Sequence, residues 1–581
     1  MKKKLQYTFF IVAAIFGFCW VDNSLPDNSL TNRLVFFSIL VLLIIISKLK
    51  AIQESAIDHP VFISLATLLG WVIVQFVGLL FAFSRLATIY RIQNTILLIA
   101  VFLVTGSIFR KKYRLQIFSV VIAIASIYLV VSLWQLLNIQ TFDKDALYNI
   151  TALNGHKNLF SSFILLLLIL LVILGKEAEK KSILSDLICI ALFAMLFLLQ
   201  TRSALLGLGM GIFYTGTFLL LLNKFPAGGK LNPVFAAIGL FSMVACIFLT
   251  LPASKSMQSE SAQERLKIWK KTIEFVREKP ILGYGSGNWP IIFPSKGLPD
   301  IKRITEKNIV FTEPHNEYLG IFFDSGLLGL SLAVLFYFLI LYGLLQTFRR
   351  NPGFSNFLIV SCFIGYLVIM FFDFPNTRIE HIICLGLIAG ISYPQNAVIC
   401  EQKKIPRILP YLISLLLLCS SVFALIRLQG EKYAQDMLTA REGKNDLQVI
   451  SAAEKAQDFF SVTDNNLVPL PWYSGMTYLR LNDNENALQQ FKKAYSINPY
   501  NYNVLNNYAV LTYPDNPNLS EKLLNDALKI NPAFDEGRKN LISLLIKKNN
   551  FAQAKAETER IQDTLLRKKL QSYILFIHQN N

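Results

Sequence analysis

The fold class predicted for this 581-residue chain is all-α: a polytopic bundle of about 12–13 transmembrane helices followed by a soluble C-terminal α-solenoid. Three observations predict it. The composition is 54% hydrophobic and only 16% charged, which excludes a soluble globular protein. A bilayer core about 30 Å thick needs roughly 20 apolar residues per helix, and thirteen runs approach that length. From about residue 430 the chain turns polar and helical, with a period near 33 residues.

The runs lie near residues 5–21, 33–49, 61–83, 93–109, 115–137, 159–175, 183–200, 203–222, 232–252, 320–347, 355–373, 379–395 and 408–428. Met1-Lys2-Lys3-Lys4 followed by an apolar stretch has the parts of a signal peptide. No small-residue cleavage site follows, and bulky Phe18 before Cys19 argues against a lipobox, so this run is expected to be a retained first span. The seven cysteines lie in or beside apolar runs without a CxxC pair or a His/Cys cluster at metal spacing, which predicts free thiols and no structural metal.

Basic residues retain loops in the cytoplasm. One alternate set of connections carries nineteen Lys and Arg and the other seven, which predicts a cytoplasmic N-terminus and a periplasmic C-terminus. The net charge of +18 is thereby read as topology and not as nucleic-acid binding, because the basic residues fall in small clusters between apolar runs. Two parts then face the periplasm: the connection 253–315, long enough to be a functional loop, and the region 431–581. The expected domains are therefore 1–430, a transmembrane domain that includes loop 253–315, and 431–581, the repeat domain.

Within the loop, Leu266, Trp269, Ile273 and Val276 recur at helical spacing and predict an amphipathic helix whose apolar face lies on the membrane or on the bundle, with Arg265 a turn before Trp269. Pro280-Ile281-Leu282-Gly283-Tyr284-Gly285-Ser286-Gly287-Asn288-Trp289 resembles a phosphate cradle, but no strand precedes it and a plain turn is the better reading. In the tail, Gly475, Tyr478, Ala487, Phe491, Ala494 and Pro499 fit tetratricopeptide spacing. Ala527 and Pro532 repeat Ala494 and Pro499 after 33 residues, and a weaker unit holds Ala554. Two to three repeat units follow, a scaffold suited to a protein or peptide partner.

The candidate chemistry gathers on the predicted periplasmic side. Thr312-Glu313-Pro314-His315-Asn316-Glu317-Tyr318-Leu319 reads as a helix start, Thr312 capping and Pro314 in the first turn. Amides at a helix start disfavour a protonated imidazole, which suits His315 to act as a general base. Arg202 stands in the tight turn between the seventh and eighth runs, where an arginine at the lip of an apolar bundle is a site candidate. Arg265 offers a second cation, and Asn154-Gly155-His156-Lys157-Asn158 precedes the sixth run. Asp324, Asp373, Glu380 and His381 read as interfacial polar residues.

Gly155-His156-Lys157-Asn158, Thr201-Arg202-Ser203, Arg265 to Trp269 leading into Pro280 to Gly285, and above all His315-Asn316-Glu317-Tyr318-Leu319 with Gly326-Leu327-Leu328-Gly329 form an ordered set over roughly 150–395. This set resembles the O-antigen ligase and polymerase superfamily of bacterial membrane glycosyltransferases. The resemblance implies transfer of a saccharide from an undecaprenyl-diphosphate-linked donor to an acceptor hydroxyl at the periplasmic face of the inner membrane. No metal, cofactor or nucleotide sugar is expected. His315 would be the catalytic base and Arg202 and Arg265 would bind the donor diphosphate, arginine's rigid fork matching phosphate oxygens. His156, Asn158, Asn316, Glu317 and Tyr318 would support them. Lipid A-core, a glycan or a protein are the expected acceptors, with ligase-type transfer ranked before polymerisation or protein O-glycosylation. Membrane lipids and a protein bound by the repeats are further expected partners. From other classes, a lipid-linked oligosaccharide flippase is disfavoured because charge is scarce mid-span and no half repeats the other, and a non-catalytic scaffold remains.

Overall fold

A computed structural model describes residues 2–22, 30–109, 113–139, 144–177, 182–221, 260–298, 301, 310–392 and 402–580. The N-terminal part is a helical bundle: α1 (Lys2–Cys19), α2 (Leu30–Gln53), α3 (His59–Leu79), α4 (Arg85–Val104, continued by a π-helical turn to Phe109), α5 (Arg114–Leu137), the short α6 (Lys144–Tyr148), α7 (Lys157–Glu177), α8 (Ile183–Leu198) and α9 (Arg202–Leu221). After the loop helices α10 (Glu260–Glu278) and α11 (Trp289–Ile292) come α12 (Glu317–Arg350), α13 (Phe354–Phe372), α14 (Ile379–Ile391) and α15 (Leu409–Glu442). Among the described residues eight helices are long and apolar enough to cross a membrane, and Phe10–Cys19, Ile183–Leu198 and Ile379–Ile391 are shorter apolar helices. Every expected run coincides with one of these helices or with α9, except the ninth, 232–252, which lies outside the described residues.

The most central helix is α7, where the stretch from Phe160 to Leu171 is buried almost without interruption. An apolar helix enclosed on all sides needs no polar face, which is why its sequence reads as a run of Leu and Ile. Helices α9 and α13 cross at small residues. A Cβ on Gly211 would lie 2.0 Å from the Ser361 carbonyl oxygen, so the backbones meet there without an intervening side chain.

One departure from an all-helical chain is a two-stranded antiparallel ribbon, β1 (Ala56–Asp58) with β2 (Gln402–Lys404), joining the α2–α3 and α14–α15 connections. Helix α15 runs unbroken through residue 430 into the polar region. Its Arg427 and Glu431 pair at 2.7 Å, and Glu431 accepts hydrogen bonds from Thr31 and Tyr90 of the bundle.

The tail continues with α16 (Asp446–Asp458), then the pairs α17 (Leu470–Arg480) and α18 (Asn484–Ile497), α19 (Tyr502–Thr512) and α20 (Pro517–Ile530), and α21 (Asp535–Lys547) and α22 (Phe551–Thr558), and ends on α23 (Thr564–Asn580). Ala487, Phe491, Ala494, Ala527 and Ala554 are fully buried, as the repeat spacing requires. Asparagine or aspartate caps open α16, α18, α19, α20 and α22.

Candidate functional site

The site is assembled on the start of α12. Asn316, not Thr312, is the N-cap: its side chain accepts the Leu319 N–H at 2.9 Å, and helical structure begins at Glu317. The reason is the preceding residue. His315 adopts φ +53°, a left-handed conformation that helix continuity does not permit, so Pro314 falls outside the first turn. A non-glycine residue held there costs about 1–3 kcal/mol and persists only where its surroundings over-determine it. Three restraints do so here. The indole Nε1–H of Trp269 donates to the Pro314 carbonyl at 2.8 Å, Glu313 forms an ion pair with Arg91, and the Glu317 N–H donates to the Asp373 carbonyl at 3.1 Å. The His315 ring, half-buried, is thereby fixed edge-on between Phe311 at 5.6 Å and Phe374 at 5.1 Å.

Phe374 belongs to the turn between α13 and α14, and this turn gathers the other groups. Asp373 is 2% exposed, and its Oδ1 accepts the Phe374 N–H at 3.1 Å. Burial raises its carboxyl above the usual carboxylate range, opposed by Arg265, by His156 and by a hydrogen bond from Asn158. Burial likewise lowers His156 below its ordinary value, opposed by Asp373 and reinforced by Arg378, Arg265 and Lys157. The His156 Nδ1 accepts the Asn158 N–H at 3.1 Å, so the neutral ring carries its proton on Nε2, 2.5 Å from the Tyr148 hydroxyl. Of the sequence-predicted residues, His156, Asn158, Arg265, His315 and Glu317 therefore meet around Asp373 and Phe374.

Arg202 stands apart from that contact set. It is the first residue of α9 and exposed, while its neighbour Thr201 shares a hydrogen bond of 2.7 Å with Ser161 in the opening turns of α7. Tyr318 is committed to helix placement, its hydroxyl donating to the Leu367 carbonyl at 2.9 Å. Glu317 accepts the Asn376 N–H at 3.3 Å, and the Asn376 side chain bridges the hydroxyls of Tyr366 and Tyr337.

The four acidic and imidazole residues read as interfacial are instead deeply engaged. Glu380 is 1% exposed, paired with Arg33 at 3.0 Å and hydrogen-bonded by Asn154 at 2.7 Å. Arg33, fully buried, also donates to the carbonyls of Leu153 and Trp20, so it locks the Asn154-Gly155-His156 segment to the bundle. The sequence signal for it was an arginine at the head of an apolar run, which was counted only toward topology. His381 is enclosed, its Nε2 2.9 Å from the Ser162 hydroxyl.

The glycine-rich turn is the plain turn expected, and its amides are committed. Helix α12 breaks at Gly326, with φ +62° and ψ −166°, which frees the Phe323 and Asp324 carbonyls to accept the N–H groups of Tyr284 and Gly285, each at 2.9 Å. Gly287 N–H donates to the Asp324 side chain at 2.9 Å, and Leu327 N–H donates back to the Pro280 carbonyl at 2.8 Å. A Cβ on Gly326 would sit 2.1 Å from the Ile281 carbonyl oxygen, so only glycine fits where the turn enters the helix.

The expected apolar stripe of α10 lies partly inside the protein, at Val276 and Trp269, and partly on its surface, at Leu266 and Ile273. Ile268, Phe275 and Val276 are buried, whereas Leu266 and Ile273 are 51% and 42% exposed and Trp269 is half-buried. The helix carries two apolar stripes, and the one containing Ile268, Thr272 and Phe275 packs against Trp289 and Phe323.

Residues 187–334 match the family model described as O-antigen ligase, and the resemblance to that superfamily holds there. The match takes in Arg202, Arg265 and His315 and leaves out His156, Asn158 and Asp373. Over 256 residues the chain is 25% identical to the ComP-specific O-oligosaccharyltransferase of Acinetobacter baylyi (strain ATCC 33305 / BD413 / ADP1), covering 42% of this chain. The chain spans 44% of that relative's length. Among solved structures, yeast Tom70 aligns with 83% of this chain and 92% of its own at 10% identity, with a TM-score of 0.20 that bears on nothing further.

Proposed function

We propose that this chain, similar over its central segment to O-antigen ligases, is a multi-pass inner-membrane glycosyltransferase that moves a saccharide from a polyprenyl-diphosphate donor to an acceptor hydroxyl on the periplasmic side. The observation that carries the reading is the convergence of His156, Asn158, Arg265 and His315 from separate segments onto the turn at Asp373 and Phe374. An imidazole held by its backbone, on the same turn that gathers the charge of Arg265, supports base-assisted group transfer with an anionic leaving group.

His315 accepts the acceptor hydroxyl proton, the oxygen attacks the anomeric carbon, and the bond from that carbon to the diphosphate breaks. Polyprenyl diphosphate departs with the electron pair. Arg265, whose charge acts on Asp373, and Arg202, exposed at the head of α9, supply the charge that a diphosphate needs. Asn316 and Tyr318 set the start of α12, and neutral His156 accepts at Nδ1 and donates at Nε2 without adding charge.

The motif order alone favours lipid A-core over protein as the acceptor. The relative specific for ComP favours a protein acceptor, and we adopt that ordering. Purified full-length protein in nanodiscs, given an undecaprenyl-diphosphate oligosaccharide and either a protein or a lipid A-core acceptor, tests both points. Coupled release of undecaprenyl diphosphate and glycosylation, abolished in His315→Ala, is the expected result. Equal transfer by the variant removes His315 as the base, and movement of the intact donor across the bilayer without release favours a flippase.

A further inference from the structure

On the side of the bundle away from His315 lies an apolar cavity of about 170 Å³. Its place follows from α2. Arg33, near the start of that helix, reaches Leu153 and Glu380 beside the candidate site, and Lys48 stands 15 residues further on, roughly 22 Å along the axis at about 1.5 Å per residue. The floor of the cavity is aromatic: Phe18 meets Phe37 edge-on at 5.0 Å and is backed by Phe163 at 6.2 Å. Its walls include Ala14 of α1, Val41 and Ile44 of α2 and Val120 of α5, and Lys48 stands at the mouth. From Phe37 to Lys48 the depth is roughly 16 Å, about half of a hydrocarbon core about 30 Å thick.

Two hydroxyls in the lining are committed to their own helices. Thr105 donates to the Val101 carbonyl at 2.7 Å and Ser47 to the Ile44 carbonyl at 2.9 Å. At the mouth stand Lys48, Tyr113 and Gln116. The Lys48 ammonium lies 5.7 Å from the centroid of the Tyr113 ring. The side-chain oxygen of Gln116 is buried and has no hydrogen-bond partner among the described residues. On the rim Ser47 is exposed and Ile44, Ile117 and Val120 are half-exposed, so the cavity opens beside α2 and α5 toward the lipid around a membrane-spanning bundle. An apolar hollow stays dry and takes up apolar matter, and a buried acceptor without a donor is costly. One end therefore calls for hydrocarbon, and the other for an anion that carries a hydrogen-bond donor.

We propose that this cavity is a phospholipid site: one acyl chain of a glycerophospholipid fills it down to Phe18 and Phe37, the phosphate meets Lys48, and a headgroup hydroxyl or ammonium donates to Gln116. A depth of one leaflet suits the chain, and a lysine beside a tyrosine suits the headgroup level of the bilayer. The lipid belongs to the leaflet opposite the one at His315, cytoplasmic in the predicted topology. A polyprenyl carrier is a different occupant, because the transferase reading sets its diphosphate at the His315 face. The site itself stands whether or not the chain is a transferase. Once seated, the acyl chain supports the aromatic floor. Phe37 is one turn from Arg33 on α2, and the Tyr128 hydroxyl donates to the Phe18 carbonyl at 3.2 Å, so the lipid props the helices that carry the Arg33–Glu380 pair.

The test places the full-length protein in phosphatidylcholine nanodiscs with a trace of phosphatidylglycerol bearing a diazirine at the tail of one acyl chain. After illumination, peptide mapping is expected to find the cavity walls of α2 and α5 labelled about tenfold over Leu187 and Ile190 of α8, which are 58% and 66% exposed. Unlabelled phosphatidylglycerol and phosphatidylethanolamine should compete, and phosphatidylcholine, whose headgroup has no donor, should not. Lys48→Gln is expected to lower the labelling about fivefold, the effect of one cation near an anionic headgroup. Gln116→Leu should erase the preference over phosphatidylcholine, and Ala14→Trp, which fills the cavity, should abolish labelling. Where Ala14→Trp does not fold, Lys48→Gln decides alone. Uniform labelling of lipid-facing helices, no labelling, equal competition by phosphatidylcholine, or full labelling in Lys48→Gln overturns the proposal. Displacement by undecaprenyl phosphate at a lower concentration than phosphatidylglycerol overturns it too, by giving the cavity to the carrier.

Discussion

The indole of Trp269 donates a 2.8 Å hydrogen bond to the carbonyl of Pro314, the residue directly before His315. A loop helix thus holds the backbone of the candidate base from outside its own helix. Trp269→Phe keeps the ring and deletes the donor. The expected loss is about 1 kcal/mol of local stabilisation, seen as a fall of roughly fivefold in kcat with donor KM little changed. Steady-state kinetics decide it, and a variant altered only in KM would place Trp269 in donor binding instead.

Arg33 and Glu380 form a buried pair, 0% and 2% exposed. Breaking such a pair from one side leaves a lone charge in an apolar bundle, at a cost of about 3–5 kcal/mol. Arg33→Met is expected to lower the thermal midpoint sharply, and Arg33→Met with Glu380→Gln to recover most of the loss. Size-exclusion of heated, detergent-solubilised protein reads both. Equal instability of the single and double variants would mean that the hydrogen bonds to Leu153 and Trp20 matter more than the charge.

Gly326→Ala sets a methyl against the Ile281 carbonyl in a backbone conformation that favours glycine. Destabilisation of about 2–3 kcal/mol is expected, with Tyr284 and Gly285 losing their acceptors on α12. Protease sensitivity at the loop should rise before global unfolding. Unchanged sensitivity would indicate that the turn docks by its side chains.

Burial lowers the folded-state pKa of His156 below the ordinary 6.5, so the unfolded chain takes up the proton first as pH falls. The stability contributed by keeping this ring neutral is therefore complete above about pH 6.5 and is lost as pH falls toward the depressed folded value. Asp373, raised by burial, has the opposite sign: its contribution is present below its ordinary 3.8 and declines as pH rises through the folded value. His156→Gln, which cannot titrate, is expected to flatten the thermal midpoint between pH 7 and 5 relative to the parent. Superimposable profiles would count against the assignment.

Arg265→Lys keeps the charge and loses the planar fork. An increase of tenfold or more in donor KM is expected if two phosphate oxygens are held together, and Arg265→Gln should be worse. Donor titrations at fixed acceptor separate these cases, and a lysine variant of normal KM would reduce the arginine to a point charge.

Several features were legible because they repeat or are extreme in composition. Twelve of the thirteen apolar runs coincide with described helices, since a span needs only length and hydrophobicity and both are local. The repeat alanines were found by period, and the glycine-rich turn by the missing strand before it. The helix start at His315 was seen, but its cap was misassigned. Thr312 is as good a capping residue as Asn316, and the choice depends on the left-handed backbone at His315, which Arg91 and Asp373 impose from distant segments.

The sequence by itself determined which stretches are buried, which repeat, and which residue types can carry transfer chemistry, because each follows from side-chain chemistry at short range. Only the tertiary structure decided which of them meet. Asp373 was read as interfacial and proves to be the buried centre on which Arg265, His156 and Asn158 converge. Arg33 was counted as a topological charge and proves to be an internal strut. The repeats, legible as a partner surface, were found against the loop through Leu298 and Ile530. Such pairings join residues hundreds of positions apart, and what selects them is the need to pair every charge and amide that the bundle buries, a condition on the whole chain and not on any stretch of it.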